Sequence, residues 1–232
     1  MPAGALLLAA VTVLSACAPA IRPARPVATP VAPAPPAGAA YQVVPARSEV
    51  RILAWRDGPL ARLGHNHVLV SHELEGELSM ADGLERVRFE LRLPVTTLVL
   101  DEPAARREEG AEFASEPSAA DVAGTRRNLL GPAVLDAEHY PRLRVAGVGA
   151  VPETEPGAGR YRVRLRIELR GQATELEVPV TVAIAEDELA AAGEFRVAQS
   201  FLGLTPFSIA LGALRVADEL LVRVHIVARR DR

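Results

Sequence analysis

Lysine is absent from the 232 residues, and all 26 basic side chains are arginine. No P-loop lysine, pyridoxal Schiff base or kinase-type lysine can therefore operate, which closes those enzyme classes. The all-arginine usage reads as codon bias, so a single arginine here is a weak mark of bidentate recognition. Cysteine occurs once, which leaves no partner for a disulfide within the chain. Aromatic residues make up only 4%, too few to expect a stacked aromatic lining. Neither sign of charge dominates: the net charge is −3, which gives no electrostatic reason to expect nucleic acid. What remains is a globular composition, 49% hydrophobic and 24% charged, long enough for one sizeable core.

The first segment reads as an address. Residues 3–16, "AGALLLAAVTVLSA", are uncharged and mostly apolar, and too short to span a bilayer comfortably. They end at the single cysteine in "LSAC", and Leu14-Ser15-Ala16-Cys17 resembles the lipobox of bacterial lipoproteins, where the cysteine becomes the lipidated N-terminus. Residues 1–16 are thus expected to be a lipoprotein signal peptide, Cys17 the lipid-modified residue, and the protein a periplasm-facing envelope lipoprotein. Ala18 in the next position resembles the class sorted to the outer membrane. The stretch "MPAG" lacks the usual basic residue, and the alternative is ordinary secretion with cleavage near "APA", residues 18–20. Residues 17–40 are rich in proline and alanine with no apolar period, so they are expected to form an extended tether. The folded domain is expected over 41–232.

Within that domain, alternation with period two recurs. In "RYRVRLRIELR", Tyr161, Val163, Leu165, Ile167 and Leu169 fall on one face and the arginines on the other, the mark of a half-buried strand. "ERVRFELRL", "TELEVPVTVAI" and "VADELLVRVHIVA" repeat it, and 48–55, 66–80, 141–150 and 193–200 bring the total to about eight strands. Short connections such as "RGQ" suit antiparallel hairpins. With few helices to cover a flat sheet, closure into a barrel or a two-sheet sandwich is favoured. One helix is expected in the 101–140 crossover, with Ser118 as N-cap, Asp121 three residues on and Gly131-Pro132 as the stop.

Four segments together carry a family resemblance: "YQVVPARSEVRILAW", "GTRRNLLGPAVLDAEHYPRLRV", "LRGQATELEVPVTVAI" and "FRVAQSFLGLTPFSIALGALRVADELLVRVHIVA". In this order they resemble the YceI-like family of lipid- and polyisoprenoid-binding envelope proteins over residues 41–230. The resemblance implies an all-β fold: an eight-stranded antiparallel, lipocalin-like barrel that holds an isoprenoid or other long-chain lipid without catalysis, cofactor or metal. An alkyl chain in such a bore gains about 0.8 kcal/mol per buried methylene before entropy costs. The lining expected from strand parity is Val50, Ile52, Val70, His72, Phe89, Leu91, Val163, Leu165, Phe195, Phe201, Phe207, Val222 and Val224. The 101–117 insertion, "DEPAARREEGAEFASEP", is charged and longer than the common family loop, and could form a protein contact instead.

The stretch "RLGHNHVLVSHELEG" concentrates three of the five histidines. If Val68, Val70, Leu74 and Leu78 define the inward face, His72 points inward and His65 and His67 do not, so the three cannot converge on one ion unless a bulge intervenes. His65 and His67 alone could supply two ligands for a metal-dependent or redox activity, the alternative function, which needs a third ligand such as His139 or His225 from elsewhere. The favoured expectation is a polar strand entry at the barrel mouth, with His67 hydrogen-bonded locally. The 200–214 stretch, broken by glycines and Pro206, is expected either to cross a barrel opening or to form a bulged core strand.

Overall fold

A computed structural model describes residues 38–81, 83–153 and 159–231. The expected signal peptide, Cys17 and the expected tether to residue 37 lie outside these residues. No helix among the described residues is long and apolar enough to cross a membrane.

Twelve strand segments form one antiparallel sheet, and they combine into eight staves. β1 (Ala39–Val43) and β2 (Glu49–Asp57) lie end to end along the same neighbour, as do β3 (His67–Ser71) and β4 (Glu75–Met80), and β5 (Arg88–Pro94) and β6 (Val99–Leu100). The other five staves are β7 (Arg142–Pro152), β8 (Arg160–Leu169), β9 (Gln172–Ala185), β10 (Glu188–Ala198) and β12 (Leu214–Arg230), with a two-residue β11 (Ser208–Ile209) beside β12. Each stave pairs with the next in the chain. β12 closes the circuit through Tyr41↔Arg230 to Val43↔Ala228 with β1, and Arg215↔Asp57 to His225↔Glu49 with β2. The result is an up-and-down barrel of eight antiparallel staves, closed into a hoop where β1 meets β12. The β8–β9 hairpin turns on Arg170 and Gly171, both at positive φ, the geometry that suits a two-residue connection between twisted strands.

The breaks in the first three staves lie side by side, at 44–48, 72–74 and 95–98. There side chains replace the missing ladder. Ser48, fully buried, donates from Oγ to the Val44 carbonyl (2.9 Å) and accepts from the Val227 N–H (3.1 Å). His72 Nδ1 donates to the Ser48 carbonyl (3.0 Å), and Ser71 Oγ meets Thr97 Oγ1 at 2.8 Å.

The break at 72–74 overturns the expected parity of the histidine strand. On β3 the inward residues are His67 and Leu69, whereas beyond the break they are Leu74 and Leu78. Val68 and Val70 therefore face outward, and are nevertheless buried, because the 101–117 insertion folds back over them. Its short helix α1 (Pro103–Glu108) and the following turn place Ala105 and Phe113 on Leu53, Val68, Val70 and Leu221. His72 faces outward at 56% side-chain exposure, 3.8 Å from Glu49.

The crossover carries the expected helix, α2 (Ala119–Leu130), with Ser118 and Asp121 forming a reciprocal capping box and Gly131 ending it. α1 is an addition that proline and charge had disguised as loop. The remaining core lines the barrel wall: a large cluster toward α2, a middle one around Val163, Leu165 and Val178, and a third at the far end around Tyr41, Leu84, Leu189 and Ala228.

Candidate functional site

The bore is hollow. A cavity of about 620 Å³ runs from Leu84 and Leu189 at the far end to α2, which contributes Ala120, Asp121, Gly124, Thr125 and Asn128. Ten of the thirteen positions expected from the sequence line it: Val50, Ile52, Phe89, Leu91, Val163, Leu165, Phe195, Phe207, Val222 and Val224. Val70 and His72 do not, for the parity reason above. Phe201 does not either: it sits on a turn, 53% exposed, while Leu202, Leu204 and Phe207 from the same stretch turn inward. Residues 199–207 thus pass across the α2 end as turns and do not form a core strand. Phe89 obtains its place in the bore because its cross-strand partner is Gly147, where any side chain would occupy the space of the ring.

The polarity of the lining is one-sided. Apart from Tyr161, every polar lining residue belongs to the α2 end: Arg56, His65, His67, Asp121, Thr125, Asn128, Gln199 and Arg215. The charged members already have partners. Arg215 pairs with Asp57 (2.7 Å), Arg56 Nη1 donates to the Gly64 carbonyl (2.6 Å), and Asp121 accepts from Ser118 (2.6 Å). The Ser118 hydroxyl and then its N–H hold the Asp121 carboxyl below the usual range, against the opposing effect of burial.

His67 is the most constrained of this group. Its Nδ1 lies 2.7 Å from Oδ2 of Asp101, whose side chain is fully enclosed. Asp101 Oδ1 accepts from the Val68 N–H (3.0 Å) and from Arg106 Nη1 (2.5 Å). Burial would raise this carboxyl, but the hydrogen bond and charge of His67, the Val68 N–H and Arg106 together hold it low. Arg106, itself buried, also donates to the carbonyls of Asn66 (2.7 Å) and Ser115 (3.0 Å). The partner of His67 is thus 34 residues away and not local, and nothing in the spacing of the sequence signals it. The only trace is the short apolar "TLVL" that becomes β6 and pairs with β3, which delivers Asp101 to His67.

His65 stands beside His67 with ring centroids 6.5 Å apart. No group of three or more His, Cys, Asp or Glu side chains among the described residues is placed to hold a metal. His139 pairs with Asp136 on an exposed turn and His225 lies on the outer face of β12, so neither reaches the mouth. The arginine row of β8 also faces outward, with Arg162 on Glu153 (2.6 Å) and Arg164 on Glu177 (3.5 Å).

The same architecture occurs in solved structures. Burkholderia cenocepacia BcnA is similar with a TM-score of 0.56 at 16% identity, covering 80% of this chain and 98% of its own. A polyisoprenoid binding domain from Saccharophagus degradans, implicated in plant cell wall breakdown, gives a TM-score of 0.53 at 10% identity, covering 82% and 98%. No curated protein matches the sequence. At these identities the structures speak for the fold, and the sequence itself supplies the lineage. The model of the YceI-like domain matches residues 41–228, all eight staves of the barrel, and the chain belongs to the YceI-like family.

Proposed function

We propose that the protein is a carrier that binds an isoprenoid or another long-chain lipid with its tail in the bore and its head at the α2 end, without chemistry. The observation that carries this is the hollow, apolar bore whose charged groups gather at the α2 end. Its volume of about 620 Å³ falls within the range of roughly 300–1,000 Å³ typical of small-molecule sites. A chain threaded there leaves water without requiring any charged partner, and burial of each methylene contributes about 0.8 kcal/mol. The name of the Saccharophagus degradans domain, which shares the fold, supports the same ligand class.

Protein purified gently from its native host, extracted with solvent and analysed by mass spectrometry, is expected to release about one lipid per chain. Val163→Phe and Val224→Phe should keep the barrel folded, at a cost of about 1–3 kcal/mol for overpacking, and lose that lipid. Folded wild type that yields none would remove the proposal.

The cellular setting belongs to the same proposal: a bacterial envelope lipoprotein, held to the membrane through Cys17 and facing the periplasm. Leu14-Ser15-Ala16-Cys17 supports this. In a detergent phase separation, wild type should enter the detergent phase and Cys17→Ser should stay in the aqueous phase. Equal partition of the two would defeat the anchor.

A further inference from the structure

The geometry points to a hydroxyl-recognising headgroup site at the mouth: Nε2 of His67 accepts the O–H of a long-chain alcohol or phenol. This inference rests on the carrier function proposed above and names the ligand's head.

Asp101 determines the tautomer. A carboxylate can only accept, and Oδ1 is taken by the Val68 N–H and Arg106, so Oδ2 receives the proton of His67 Nδ1. In a neutral imidazole the other nitrogen is then a bare lone pair. Nε2 lies on the far side of the ring from Asp101. It has no hydrogen-bond partner among the described residues, and His67 is part of the cavity wall. The backing is rigid: Asp101 is enclosed, and Arg106 ties it to Asn66 and Ser115. The insertion therefore holds one imidazole in one orientation, and from its place in the cavity wall that ring can offer its free nitrogen to a ligand.

The charge balance selects among heads. At the mouth Arg215 is paired with Asp57, and the charge of Arg56, which donates to the Gly64 carbonyl, is offset in number by that of Asp121. Such a mouth gives no excess attraction to a phosphate or carboxylate. An acceptor withdrawn from water by the ligand's tail loses free energy unless the ligand returns a donor. A hydroxyl does so. An ether, an ester or a bare hydrocarbon does not.

The test uses the purified full-length protein, freed of endogenous lipid, in equilibrium dialysis against radiolabelled geranylgeraniol and its methyl ether, which differ only in the donor. Wild type is expected to bind the alcohol about tenfold more tightly, the effect of roughly one hydrogen bond in an apolar site. His67→Phe should bind both ligands alike, and His67→Gln, which keeps an acceptor, should restore part of the preference. Equal affinities in wild type, or an undiminished preference in His67→Phe, would overturn the hydroxyl site while leaving the carrier intact. Should wild type bind neither chain, the carrier function falls and the headgroup site with it. Because the wild-type ratio is decisive alone, the test survives a variant that fails to fold.

Discussion

Two enclosed carboxylates help hold the 101–117 insertion to the barrel. Asp101 faces His67 and Arg106 on one side, while Glu109, almost enclosed, lies between Arg51 (2.7 Å) and Arg223 (2.5 Å) on the other. Burial opposes ionisation of both, yet these partners hold both below the ordinary carboxylate range. The sign follows from linkage. A depressed folded pKa contributes stability that is fully present above the unfolded value, near 4, and is lost as pH falls through the folded one. The urea midpoint of the barrel is therefore expected to fall as the pH drops below about 4, and Asp101→Asn should flatten that decline. At neutral pH the same substitution leaves Arg106 buried without its counter-charge, a loss of about 3–5 kcal/mol. An unchanged midpoint in Asp101→Asn would show the ion pair to be dispensable. None of this could be read from the sequence, where Asp101 and Arg106 look like ordinary members of a charged surface loop and only the backbone path brings them inside.

Individual staves were legible wherever one face met water. On β8 and β5, arginines and glutamates alternate with Val163, Leu165, Phe89 and Leu91, so period two alone assigns the lining. On β3 the same logic failed, because Val68 and Val70 look inward-facing only while the outer face is assumed to be wet. The insertion makes that face dry. It also hides the change of parity at 72–74, which only the switch from outward Val70 to inward Leu74 betrays. The dry outer layer has its own energetics. Phe113 is nearly inaccessible and packs edge-on to Trp55 at 5.7 Å, while Arg196 lies 5.5 Å from the centre of the indole. Phe113→Ala should cost about 3–5 kcal/mol in chemical denaturation. Because this layer lies outside the hoop, lipid retained per folded chain should not change. Loss of lipid in a variant that stays folded would show that the layer and the bore are not separate.

At the scale of the molecule, the hoop is uneven. Five staves run unbroken, and three are interrupted at the same height, where Ser48, Ser71, His72 and Thr97 stand in for backbone pairing. In hydrogen exchange, amides of 44–48, 72–74 and 95–98 are expected to exchange before those at the centres of β8, β9 and β12. Uniform protection around the barrel would mean that the substitutes are as strong as the ladder. The bore opens along its axis toward α2, and a guest using this mouth passes beneath α2 and the 199–207 turns to come or go. How tightly the guest is held depends on the walls, and how quickly it is exchanged depends on that gateway. Affinity and residence time can therefore be altered separately, in different parts of the chain.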